Sequence, residues 1–97
     1  MIGEKQINKF RSKLNKDYSC RCLVEEYFKG TINTYEVKGI LSHLENDMLL
    51  LYDKNDVILL NGKIQAMLID SIEKIEFKDN IKTIYLKNDE LLKIKTI

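Results

Sequence analysis

Apolar residues recur along the chain with two different periods. Between residues 4 and 17, Ile7, Phe10 and Leu14 follow one another at spacings of three and four, with Lys5, Lys9, Arg11, Lys13 and Lys16 between and around them. This spacing gathers the apolar side chains on one stripe of a helix, and the residue types are good helix formers. It predicts an amphipathic helix over 4–17, preceded by Gly3 and weakened near its end by Asn15, Asp17 and Ser19. The stripe is narrow, so the helix is expected to lie on another surface, either the chain's own strands or a partner. Ile7, Phe10 and Leu14 are the candidate interface residues.

After Ser19 the period falls to two. Cys20, Cys22, Val24, Glu26 and Phe28 share one parity, while Arg21, Leu23, Glu25 and Tyr27 share the other. Neither parity is cleanly polar, which predicts a strand covered on both sides. Lys29-Gly30 marks a turn. The β-prone stretch 31–44 has Gly39 inside it, where glycine predicts a sharp bend or a bulge. Residues 45–47 form the next turn, 48–52 a short apolar strand, 53–56 a turn and 57–60 a further strand. Asn61-Gly62 is a two-residue hairpin signal, since both residues tolerate positive φ. Strands are expected at 63–69, around Ile72, Ile75 and Phe77, at 81–86 and at 91–97. Breaks at Asp70-Ser71, Asp79-Asn80 and 88–90 separate them. The last two strands are expected to form a simple hairpin with Lys82, Lys87, Lys93 and Lys95 on its outer face.

Many short strands joined by polar turns favour a small barrel or meander. The expected fold is mainly β with an N-terminal α-helix. Residues 20–97 would form a small, strongly bent antiparallel barrel with a C-terminal hairpin, all within one domain over 1–97. With 97 residues the chain can bury one hydrophobic core, and 44% hydrophobic against 32% charged residues is a globular balance. The formal net charge is +1, too small for a global field that attracts nucleic acid or an anionic membrane. The charge is uneven, however: residues 1–30 carry seven basic and four acidic side chains, residues 31–97 nine and eleven. No apolar run has the length of a membrane span, and the first residues lack the apolar core of a secretory signal. A cytoplasmic location is the expectation.

The segment Gly39-Ile40-Leu41-Ser42-His43-Leu44-Glu45-Asn46-Asp47-Met48-Leu49-Leu50-Leu51 resembles the first signature of the Sm-like (LSm) family, with Gly39, Leu41, Leu44, Glu45 and Met48 in matching places. The resemblance covers residues 20–78. It implies a helix laid on a strongly bent small barrel, a fold often assembled into rings that bind RNA. Leu49 stands where members that bind uridine-rich RNA commonly place asparagine. Residues 67–72 carry neither the basic residue with glycine nor the lysine–histidine pair of the second signature. A weaker likeness runs through Asp70-Ser71-Ile72 and Lys74-Ile75-Glu76-Phe77, which is similar to small bacterial domains of the pleckstrin-homology type. Those domains usually carry their long helix at the C-terminal end.

Candidate chemistry is sparse. His43 is the single histidine; a triad would need Glu45 or Asp47 to orient it and Ser42 or Cys22 as nucleophile, and no nucleophile-elbow motif accompanies it. Cys20 and Cys22 are expected to be reduced, because a bond between such close neighbours is strained. No metal or other cofactor is implied, since zinc needs about four ligands. The carboxylates fall mainly at turns. Lys5, Lys9, Arg11, Lys13 and Lys16 are candidate phosphate contacts, with Tyr18, Tyr27 and Tyr35 as candidate stacking platforms. The expected function is therefore that of a small non-enzymatic interaction or regulatory module, acting through protein binding or self-association. An Sm-like RNA- or DNA-binding module is the alternative, and a small hydrolase ranks last.

Overall fold

In the computed structural model the described residues are 2–16, 19–53 and 64–97. The anticipated turn at 54–56, the strand at 57–60 and the Asn61-Gly62 turn lie outside them. The helix α1 spans Glu4–Lys16 and opens on Gly3, whose carbonyl accepts from the N–H groups of Gln6 and Ile7 at 3.1 and 3.3 Å. Glu4 in its first turn complements the positive end of the helix dipole. Ile7, Phe10 and Leu14 lie on one stripe and are fully buried.

The strands are β1 (Arg21–Phe28), β2 (Thr31–Lys38), β3 (Ile40–Glu45), β4 (Met48–Asp53), β5 (Ile64–Leu68), β6 (Ile72–Lys78), β7 (Ile81–Leu86) and β8 (Leu91–Thr96). A 3-10 turn over Ile69–Ser71 joins β5 to β6. All pairings are antiparallel. One sheet has the order β2-β1-β8-β7-β6, and the other β3-β4-β5. Two-residue turns at Lys29-Gly30 and Asn46-Asp47 place both residues at positive φ, the geometry that matches the strand twist, and the three-residue turn Lys87–Asp89 has Asn88 and Asp89 at positive φ.

Gly39 is the point where the chain leaves one sheet for the other. Its φ of 92° is costly for a residue with a Cβ, so glycine there lets β2 end and β3 begin within one residue. The anticipated bend is therefore present, but the sheets do not close into a barrel. The last two strands form the expected hairpin, and it is built into the five-stranded sheet. β8 lies at the centre of the five-stranded sheet and pairs with β1, setting Ile94 beside Val24 and Leu92 beside Glu26. This non-local pairing joins the two ends of the chain. Beyond it, the Ile97 N–H donates to the Arg21 carbonyl at 2.9 Å.

Strand parity explains two further departures. Lys82 shares its side of β7 with Ile84 and Leu86, so it points inward rather than out and is 8% exposed, its Nζ 3.5 Å from Thr96 Oγ1. In β1, Cys22, Val24 and Glu26 are buried while Leu23, Glu25 and Tyr27 are half-buried, so one face meets the core and the other is only partly shielded. Cys20 and Cys22 are not joined in a disulfide.

The helix lies against β3 and β6, an edge strand of each sheet. Phe10 meets Phe77 of β6 with ring centroids 6.3 Å apart at 41°, a tilted contact. The same cluster contains Leu49, Leu51, Ile72, Ile75 and Ile84, so the helix closes one core shared by both sheets. Ser42 is buried in this region, and its Oγ has no hydrogen-bond partner among the described residues.

Phe10→Ala is expected to cost about 3–5 kcal/mol in urea unfolding, because a fully buried ring is lost and the seam between the sheets opens. Ser42→Ala should keep or raise the thermal midpoint. Removing the hydroxyl relieves a desolvation cost of about 1–3 kcal/mol and leaves little empty volume; a clear fall in midpoint would show that the hydroxyl has a partner.

Candidate functional site

The stripe Ile7, Phe10 and Leu14 is spent on the chain's own core and offers no free interface. The basic residues of the helix divide into two groups. Lys9 and Lys13 lie over the face of Phe77, their Nζ atoms 4.9 and 5.2 Å from its centroid. Lys5 is exposed on the same side of the helix. Arg11 instead borders a polar depression with Asn8, Ser12 and Asn15. A helix at 100° per residue separates it from the lysines. The side chain of Lys16 lies outside the described residues.

The tyrosines are engaged elsewhere. Tyr18 lies outside the described residues. On the outer face of the five-stranded sheet the Tyr27 hydroxyl donates to Glu25 at 2.6 Å, and Lys93 Nζ sits 5.8 Å from the Tyr27 ring centroid. Tyr85 repeats the arrangement: its hydroxyl donates to Glu76 at 2.6 Å, and Lys74 Nζ lies 4.6 Å from its ring centroid and 3.8 Å from Glu76. These bonds leave the rings capped by ammonium groups and their hydroxyls tied to carboxylates. The hydrogen bond from Tyr85, with Lys74 adding to it, holds the Glu76 carboxyl below its ordinary range, while the bond to Glu76 raises the Tyr85 hydroxyl. Tyr27 is raised in the same way by its bond to Glu25.

His43 and Ser42 point to opposite faces of β3, His43 exposed and Ser42 buried. His43 Nε2 lies 3.9 Å from Glu45 Oε2, both groups open to solvent. Cys22 belongs to the other sheet. The geometry assembles no triad from these residues. Among the described residues no group of three or more His, Cys, Asp or Glu side chains is placed to hold a metal ion. No helix among them is long and apolar enough to cross a membrane.

A buried polar cluster joins the sheets. Glu26 of β1 is 3% exposed, and its Oε1 accepts from the Tyr35 hydroxyl of β2 and from Gln65 Nε2 of β5. A buried carboxylate is tolerable only with such donors. Gln65 also leads outward, for it lines an open groove of about 610 Å³ at the end of the sandwich. One wall is β5, with Gln65, Ala66, Met67 and Leu68. The other is made by Phe28 and Lys29 at the β1–β2 turn and by Leu86, Lys87, Asn88 and Glu90 at the β7–β8 turn; Ser71 closes one end. Three hydrogen bonds stiffen the turn wall. The Lys29 N–H donates to Glu90 Oε2 at 3.2 Å, the Leu86 N–H to the Glu90 carbonyl at 2.8 Å and the Lys87 N–H to the Ser71 carbonyl at 3.0 Å.

Alternating hydrophobicity marks Met67 and Leu68 as strand residues, but not the groove they border. It depends on β8 sitting beside β1, which brings two turns about sixty residues apart in sequence to one place. Leu68 stands at its lip, 55% exposed, in a strand whose other parity is filled by buried Met67.

Tyr85→Phe should move the Glu76 titration midpoint upward, toward an ordinary carboxylate, in a carbon-detected NMR titration. Because the folded-state value is lowered, this contact contributes stability above the unfolded-state midpoint and loses it as pH falls through the folded one. An unmoved midpoint would assign the shift to Lys74 instead. No family model, curated protein or solved structure matches this chain.

Proposed function

We propose that this chain is a small non-enzymatic interaction module that works through protein binding or self-association. The observation that carries the reading is the groove between β5 and the two turns, where Phe28, Met67, Leu68 and Leu86 bring apolar surface to a pre-stiffened wall. A Leu side chain left 55% exposed beside such a groove is surface that a partner removes from water. The groove is open rather than enclosed, which suits a chain segment better than a small metabolite.

Nucleic-acid binding is the second reading. It draws support from Lys5, Lys9 and Lys13, which follow one another along a single side of α1. Contacts of this kind go to phosphates and weaken with salt.

Sedimentation equilibrium combined with quantitative affinity capture tests the first reading. Wild type should self-associate with rising concentration, or retain a defined partner that Leu68→Lys loses and Lys78→Glu keeps. A monomer at every concentration, with identical capture by all three proteins, would overturn it. Micromolar binding to single-stranded RNA that fades with salt and is lost in Lys5→Glu/Lys9→Glu would transfer the proposal to the second reading.

A further inference from the structure

We infer that the outer edge of β5, unpaired among the described residues, is a strand-addition site for an extended segment of a partner protein, one whose apolar stretch is flanked by carboxylates. This rests on the interaction-module reading and specifies the site and the chemistry of the occupant.

The backbone supplies the first argument. The Ile69 N–H donates to the Asp47 carbonyl at 3.0 Å, so these two form a hydrogen-bonded pair at the end of the β4–β5 ladder. Alternation along an antiparallel pair then turns the backbone groups of Met67 and Gln65 toward β4, and those of Ala66 and Leu68 away from it. Ala66 and Leu68 lie in the groove wall. β5 is the last strand of its sheet among the described residues, so both backbone groups of Ala66 and the N–H of Leu68 face the groove with no strand partner among those residues, while the Leu68 carbonyl opens the 3-10 turn over Ile69–Ser71.

A comparison of sheet edges supplies the second. β3 and β6 are covered by α1. β2 is open but carries Glu36 and Lys38 on its exposed length, with Glu36 ion-paired to Arg21. Charges of this kind discourage added strands. β5 carries none across Ile64–Leu68. Of the two edges not covered by the helix, the polar one is guarded and the apolar one is not.

Charge identifies the occupant. Lys29 and Lys87 are exposed on the opposite wall, and their ammonium groups meet no carboxylate among the described residues. Glu90, the acidic residue of the groove, already has Oε2 engaged by the Lys29 N–H. A strand entering here lies between a neutral backbone edge and two unmatched cations. Flanking carboxylates satisfy those cations and set its register. Isologous β5–β5 pairing of two copies fits worse, because it gathers two lysines from each copy at one interface and adds only the Glu90 carboxylates, each with Oε2 already engaged by the Lys29 N–H.

The test is an NMR titration of the whole chain with a short peptide of alternating valine and threonine that has a glutamate at each end, and with its lysine-ended counterpart. The glutamate-ended peptide should shift the Ala66 and Leu68 amides and slow their exchange. Lys29→Glu/Lys87→Glu should weaken it about tenfold and reverse the preference between peptides. Ala66→Pro removes an outward N–H without touching the β4 ladder, and should abolish binding. If that variant fails to fold, the charge-reversed protein still decides the matter. Equal binding of both peptides, shifts confined to residues away from β5, or no shift at millimolar peptide would overturn strand addition. If capture still depends on Leu68 in that event, the interaction reading stands alone; if capture is also indifferent to Leu68, both fall.

Discussion

Every sheet has two edges whose backbone groups must be paired, covered or left to water, and the arrangement of this molecule follows from how its four edges are treated. The β3 and β6 edge strands both pack against α1, with Phe10 against Phe77. The β2 edge faces solvent and is studded with polar and charged residues. The β5 edge borders a groove lined by both apolar and charged side chains. The helix is thus less an appendage than the element that makes one core out of two sheets.

That role explains why the most amphipathic segment of the chain contributes nothing to an apolar docking surface. Its three stripe residues are fully buried, and two of its lysines lie over the ring that the stripe packs beside. Lysine stems commonly cover apolar surface while their charged ends stay in water. A basic helix face is therefore compatible with a purely structural duty. The Tyr–Glu–Lys groupings on the outer face of the five-stranded sheet follow a similar logic: each satisfies its own charges across neighbouring positions and leaves few groups unmatched. The groove differs, with two ammonium groups that meet no carboxylate among the described residues beside apolar surface.

The buried Glu26 ties these themes together. It receives hydrogen bonds from β2 and β5, one strand from each sheet, and stands behind the groove through Gln65. A carboxylate held this way penalises any slip of β1 against its neighbours, because a slip of one residue would turn it to the outer face and strand its donors. It also fixes the position of Gln65, and with it the start of the described groove wall.

The sequence by itself determined the helix, the strand periods and most of the turns, because these depend on neighbours within a few residues. The Ile7–Phe10–Leu14 stripe has helical spacing wherever it packs, and Asn46-Asp47 tolerates positive φ in any hairpin. Gly39 announced a bend for the same local reason. Tertiary structure alone decided that the bend separates two open sheets, that β8 joins β1, that Lys82 faces inward and that the helix stripe covers the chain's own seam. Each of these depends on contacts between residues far apart in sequence, which periodicity cannot rank. The groove belongs to this second group: its walls come from strands and turns that are individually ordinary, and it exists only where long-range pairing sets them side by side.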